Sequence, residues 1–258
     1  MYTESLRLNT YLKNLSKMEF VVTDACTGRC KHCSEGERLS SGERIDPALA
    51  AEAVKRVAEI YELGTVMAFG GEPLLHTDAV CAIMAAAREM QVTRRQVITN
   101  GYFSSDVRRI REVAELMREC GVNDLLLSVD AFHQETIPLD VVRSFALELK
   151  RCSVPTRLQP AWLVSSADDN EYNGRTREIL DSLSDLEIPE SEGNVVFPEG
   201  NALRYLSEYF KDVSPENPYV DDPCDVKCLS FSANGDVLGG NIYRENILDI
   251  IEKYTPTE

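Results

Sequence analysis

Basic residues are scarce in this chain: 27 lysines and arginines stand against 43 acidic residues, a net charge of −16 over 258 residues. A field of that sign repels phosphate backbones, so no nucleic-acid partner is expected. Long apolar runs are missing as well, and none would cross a bilayer, so no membrane segment is expected. Met1 to Lys17 is polar and charged and lacks the apolar core of a signal peptide, which points to the cytoplasm. Internal repeats and low-complexity tracts are absent. Only three histidines occur, His32, His76 and His133.

What the chain does have is cysteine, eight in all. In a reducing compartment these are expected as ligands, catalytic groups or small core residues rather than as disulfides. Three of them, Cys26, Cys30 and Cys33, stand at C-x3-C-x2-C spacing in the polar loop DACTGRCKHCSE, just after the strand-like run Phe20-Val21-Val22-Thr23. Thiolates are soft ligands and the usual support of iron–sulfur clusters. A cubane has four irons and this loop has three thiolates, so one iron would be left open to a small molecule that can take an electron. A structural zinc site needs four ligands, and His32 adjoins Cys33, where neighbouring side chains converge poorly on one tetrahedral ion. Three close cysteines cannot all pair as disulfides. A ferredoxin run has four cysteines and ends in Cys-Pro, unlike this one.

Short β-branched runs then alternate with amphipathic helical stretches. Asp46 and Pro47 read as N-cap and first turn of a helix burying Leu49, Ala53, Val57 and Ile60. The strand Thr65 to Phe69 ends in Gly70-Gly71-Glu72-Pro73, and a helix capped by Thr77 follows, with Val80, Met84, Ala87 and Met90 inward. Gln96 to Thr99 is a strand ending at Asn100-Gly101, and the next helix runs from Ser105 to Cys120 with Gly121 as its C-cap glycine. Leu125 to Val129 is a strand ending near Asp130, and a helix covers Leu139 to Arg151. Thr156 to Val164 is a strand weakened by Pro160. A helix near Arg175 to Leu186 leads to a sixth strand, Asn194 to Phe197.

Such alternation predicts a parallel sheet wrapped by helices. The polar candidates fall just after successive strands, as they do at the C-terminal face of a barrel. An open sheet gathers its ligand at one switch point instead. The expected fold is therefore α/β, with a curved parallel sheet.

Four segments carry a resemblance: C-T-G-R-C-K-H-C at Cys26 to Cys33, G-G-E-P at Gly70 to Pro73, T-N-G at Thr99 to Gly101 and S-V-D-A at Ser128 to Ala131. In order and in placement they resemble the radical S-adenosylmethionine (radical SAM) enzymes. The resemblance spans roughly residues 18–200 and implies a partial (β/α)6 TIM-like barrel over 18–210, an N-terminal extension over 1–17 and a C-terminal extension over 211–258. It implies that Cys26, Cys30 and Cys33 hold one [4Fe-4S] cluster whose open iron is chelated by SAM. Reductive cleavage of the sulfonium would give a 5′-deoxyadenosyl radical able to abstract hydrogen from an unactivated C–H bond. Gly70 and Gly71 would admit backbone close to the SAM methionyl part, with Glu72 as a hydrogen-bond and charge partner there or as a carboxylate at a helix N-terminus. Asn100 would position the ligand or shape a turn, Ser128 and Asp130 would contact ribose hydroxyls and the methionyl end, and His32 would pack on adenine.

The C-terminal extension reads as a hairpin turning at Asn234-Gly235, followed by a helix from Glu245 to Tyr254. It resembles the start of the auxiliary-cluster domain of peptide- and protein-modifying members, yet Cys224 and Cys228 are its only cysteines. Two cysteines do not satisfy a cluster, so no auxiliary cluster is expected. Cys224 and Cys228 are a degenerate remnant, a thiol returning hydrogen to a substrate radical near the barrel opening, or a redox pair. Cys81, Cys120 and Cys152 read as helix packing. His133 is a catalytic or SAM-contacting candidate or a plain loop histidine. His76 precedes a helix cap, and Trp162 and Gln159 would reach the interior or the core.

The activity expected is that of a radical SAM enzyme, an oxidoreductase or transferase. Its substrate would be a peptide or protein, and its reductant a low-potential donor such as flavodoxin or ferredoxin. A small-molecule substrate and activation of a glycyl-radical enzyme are the alternatives within the class. A non-catalytic metal-binding scaffold is the alternative outside it.

Overall fold

The computed structural model describes residues 9–213 and 215–256. Residues 1–8 of the expected N-terminal extension lie outside them. The strands are β1 (Lys17–Val21), β2 (Thr65–Phe69), β3 (Arg94–Thr99), β4 (Asp124–Ser128), β5 (Thr156–Gln159), β6 (Ala161–Leu163), β7 (Asn194–Val196), β8 (Cys228–Phe231), β9 (Asp236–Val237) and β10 (Gly240–Asn241). The helices are α1 (Pro47–Ala58), α2 (Thr77–Glu89), α3 (Val107–Cys120), α4 (Ala131–Gln134), α5 (Leu139–Arg151), α6 (Glu171–Asp181), α7 (Gly200–Tyr205) and α8 (Ile247–Lys253).

Six strands form one parallel sheet in the order β5-β4-β3-β2-β1-β8. Helices α1, α2, α3 and α5 join its successive strands and cover one face. The alternation within β1 shows the layering: Met18 and Phe20 are fully buried beneath the helices, while Lys17, Glu19 and Val21 line the opposite, interior side. The helices form where the sequence caps them. Asp46 accepts from the amides of Ala48 and Leu49 at 2.9 Å, Asp106 from that of Arg108, and Gly121 ends α3 at φ +93°.

Several expectations shift. The buried stripe of α1 is Ala50, Ala53, Val54 and Val57, and Leu49 faces outward. The residue Thr77 begins α2 without capping it, because a short 3-10 turn, Pro73–His76, fills the space between. The strand expected over Thr156–Val164 is two strands broken at Pro160. Pro160 has no N–H to give a ladder, and its carbonyl instead accepts from Asn194 at 2.9 Å. Gly193 makes this crossing possible, since a Cβ there would lie 2.5 Å from the Pro160 oxygen. Beyond the break, β6 pairs in parallel with β7 as a separate two-stranded sheet. The curved sheet is thus open.

The C-terminal segment holds a hairpin and a helix, and also something more. The chain does turn at Asn234-Gly235, where the Ser232 amide reaches the Asp236 carbonyl at 3.0 Å, and a second reversal at Leu238-Gly239 pairs β9 with β10. Just before it, β8 joins the main sheet beside β1, with Phe231 stacked on Phe20 at 4.5 Å. Asn9 ties the far end back through bonds to the carbonyls of Ile251 and Tyr254. Among the described residues, no helix is long and apolar enough to cross a membrane.

Candidate active site

The three loop cysteines follow the C-terminal end of β1 and are held there by backbone contacts with the next strand end. The Thr23 carbonyl accepts from Gly71 N, and the Ala25 carbonyl from Glu72 N, both at 2.8 Å. Glycine is obligatory at this crossing. A Cβ on Gly71 would lie 2.1 Å from the Ala25 oxygen, and one on Gly70, at φ +134°, 2.8 Å from the Thr23 oxygen. The glycine pair therefore lets β2 approach the cysteine loop itself.

Glu72 is fully buried. One carboxylate oxygen accepts from Thr99 Oγ1 at 2.7 Å and from the Leu74 amide at 2.9 Å; the other accepts from the Asn100 amide at 2.9 Å. It caps the short turn after β2 and fastens the end of β3 to it. Burial raises its pKa to about 7, against the pull of those donors. Asn100 reaches the cysteine loop, its side-chain amide lying 3.6 Å from Cys26 Sγ and 3.2 Å from Thr27 Oγ1.

After β4, Asp130 is buried completely and caps α4. Its oxygens accept from His133 N (2.9 Å) and from Ala161 N (3.2 Å), and the second lies 2.7 Å from His133 Nδ1. Burial alone would push this carboxyl up, but His133 outweighs it and the net shift is downward. The His32 ring packs between Phe132 (4.9 Å) and His133 (4.8 Å), and its Nδ1 is buried without a partner. Burial, then the neighbouring His133, lowers its pKa to about 4.

One cavity of about 1000 Å³ joins these groups. Cys26, Cys30, Cys33, His32, Gly70, Gly71, Asn100, Ser128, Asp130 and His133 all line it, while Glu72 stands behind its wall. All three loop thiols are free and half-buried. Burial pushes each of them up, Cys30 furthest, so they ionise readily only when a metal takes their protons' place. Three soft sulfur donors on one loop, facing one cavity, fit an iron–sulfur cluster. A second donor set also exists: Cys30, His32 and His133 present ligand atoms within 4.8 Å of one another.

Cys224 and Cys228 are not part of this gathering. Cys224 is exposed, and Cys228 opens β8 opposite Lys17, at the end of the sheet away from the cysteine loop. Gln159 lines the cavity, whereas Trp162 is buried and donates to the Glu192 carbonyl. His76 sits 3.3 Å from Arg44 outside the cavity. The cavity also has a lower half that sequence reasoning missed, lined by Lys17, Glu19, Gln96, Tyr219 and Ser230. The signal was present in the alternation Lys17-Met18-Glu19-Phe20, which puts two charges on one face of a buried strand.

The family model described as the radical SAM superfamily matches residues 20–151. The chain belongs to the radical SAM superfamily. Its members use a [4Fe-4S] cluster and SAM. Among curated relatives, a GTP 3',8-cyclase of Limosilactobacillus fermentum is 28% identical over 137 residues, 52% of this chain and 38% of that protein. The chain thus matches well under half the length of that relative. Among solved structures, radical SAM folds recur at low identity. Streptococcus suis SuiB bound to its precursor peptide SuiA superposes with a TM-score of 0.60 at 15% identity, over 93% of this chain and 65% of that one. BtrN in complex with AdoMet and 2-DOIA gives 0.52 at 18% identity, over 93% and 83%. These likenesses establish the partial-barrel fold of the radical SAM group.

Proposed function

We propose that this chain cleaves SAM reductively at a [4Fe-4S] cluster held by Cys26, Cys30 and Cys33, and abstracts hydrogen from a small molecule housed in the cavity. The observation that carries this reading is the convergence of three free thiols and four strand ends on one cavity. When bound, the cluster and SAM supply a carbon-centred radical. The chain's own residues do the rest. Asn100 places an amide against the Cys26 sulfur, a contact that orients a ligating thiolate. Glu72 and the two glycines keep the loop in register with β2 and β3. Ser128 and the Asp130–His133 pair offer polar atoms to the SAM sugar and amino acid. Val21, Phe69, Ile98 and Leu126 form an apolar wall in the middle of the cavity, which keeps water from a reactive intermediate.

A cavity of about 1000 Å³ is at the upper end for small-ligand sites and has to admit SAM as well as substrate. That supports a small-molecule substrate over a peptide, which would have to present a single side chain. The reductant is a low-potential flavodoxin or ferredoxin. Eight free cysteines agree with a reducing, cytoplasmic setting. The test is anaerobic reconstitution, then dithionite and SAM, with iron and 5′-deoxyadenosine quantified. About four irons per chain and release of 5′-deoxyadenosine are expected. A reconstituted chain that releases none sinks the reading. A persistent protein radical on a larger partner, with about one SAM consumed per site, would mark a glycyl-radical activase instead.

A further inference from the structure

The lower half of the cavity has no task in SAM cleavage, yet it is built from polar groups. Barrel interiors are normally packed with layers of branched apolar side chains. Here the register sets Glu19 beside Met67 on one side and Ser230 on the other, with Gln96 next to Met67. A carboxylate, a primary amide and a hydroxyl thus stand at one level around an open space. Glu19 is held by Lys17 Nζ at 2.7 Å, and the two side chains are only 17% and 32% exposed. Placing an ion pair inside a barrel has a desolvation cost that stability alone does not repay.

Glu19, Gln96 and Ser230 all keep acceptor capacity at this level. Gln96 gives its amide N–H to Asp124 at 2.6 Å, which leaves the amide oxygen free to accept. Glu19 retains acceptor capacity beyond its bond with Lys17. The Ser230 hydroxyl makes no hydrogen bond among the described residues and is open to the cavity. Cations, by contrast, are spoken for. Among the described residues, the lysine and arginine lining the cavity are Lys17, paired with Glu19, and Arg38, paired with Asp24 at 2.7 Å and Glu35 at 3.1 Å. Phosphate recognition calls for uncommitted arginine, lysine or a helix N-terminus.

We infer that Glu19, Gln96 and Ser230 form a recognition subsite for the N–H-bearing end, ammonium or amide, of a substrate that carries no phosphate. Lys17 positions Glu19 from beneath. The inference rests on the small-molecule reading above and narrows it: the nucleoside triphosphate in the names of the curated relatives has no place to put its charge here.

The test uses the full chain, reconstituted with iron and saturated with SAM, and titrates it calorimetrically with two matched probes, benzylamine and benzyl phosphate. Benzylamine is expected to bind and benzyl phosphate not. Glu19→Gln removes the anion and frees Lys17, so the preference should invert: benzylamine weakens by about tenfold or more and benzyl phosphate gains a comparable factor. Ser230→Ala, which disturbs no bond within the fold, should weaken benzylamine by a smaller factor and leave the phosphate probe unbound. Benzyl phosphate binding the unaltered chain as tightly as benzylamine overturns the inference. So does absence of benzylamine binding, or benzylamine affinity unchanged in both variants. The iron count and 5′-deoxyadenosine release of the same sample report on the enzyme reading separately, so the two can fail independently.

Discussion

The two ends of the parallel sheet solve opposite problems. At the C-terminal end, backbone meets backbone: Gly70 and Gly71 lie on the carbonyls of Thr23 and Ala25 where any side chain would collide. The acids Glu72 and Asp130 are fully buried there, and their oxygens are taken by neighbouring donors. At the N-terminal end, β1 and β8 start with Lys17 and Cys228, and Lys17 pairs with Glu19 inside the cavity. At the upper end the two buried acids are held by neighbouring donors, while His32 Nδ1 is buried without a partner. The lower end keeps acceptors that the fold itself does not use.

That contrast can be broken in graded steps. The largest effect is expected from Cys30→Ala, which should drop reconstituted iron from about four per chain to a residue and abolish 5′-deoxyadenosine release, checked by iron and sulfide assay. Asp130→Ala should come next. It leaves three donors without their acceptor, at a cost of about 3–5 kcal/mol in urea denaturation. The sign of its pH dependence follows from the lowered pKa: the Asp130 contribution is present above the ordinary carboxylate value of 3.8 and is lost as pH falls through the lower folded value.

Gly71→Ala should cost about 3 kcal/mol and displace the cysteine loop, whereas Gly174→Ala in α6, with open space around it, should stabilise by about 0.5–1 kcal/mol. Thermal melts of both variants check the pair. Glu72 gives a subtler signature. Its folded pKa of about 7 lies above its ordinary 4.5, so its favourable contribution holds below pH 4.5 and fades as pH rises to 7. Stability of the unaltered chain relative to Glu72→Gln should therefore fall by about 3 kcal/mol across that window. The smallest effect belongs to the lower end: Cys224→Ala with Cys228→Ala should leave iron at about four per chain. An iron count in the unaltered chain clearly above that of the double variant would show a second metal centre fed by those thiols.

The upper end was legible in the sequence because its constraints are local. A cysteine spacing and a glycine pair each act within a few residues and leave a readable pattern. Asp46 and Gly121 announced helix ends for the same reason, whereas the start of α3, expected at Ser105, is set by the Asp106 cap. Where neighbours decide, reading was poorer. The stripe of α1 shifted from Leu49 to Ala50 because its packing against α2 sets the rotation, and Pro160 cut a strand that its apolar flanks suggested was whole. Strand β8 was unreadable as a barrel strand, since four residues of apolar alternation do not say which edge they will extend.

Taken alone, the sequence determined the chemistry on offer: three soft ligands on one loop, a parallel α/β scaffold and the strand ends that face them. Only the tertiary structure decided that β8 closes on β1, that Cys228 sits away from the loop, and that Lys17, Glu19, Gln96 and Ser230 share one space. The reason is physical. Ligand spacing and capping are short-range properties of the chain, whereas a cavity's polarity is set by strands far apart in sequence whose register emerges only when the sheet assembles.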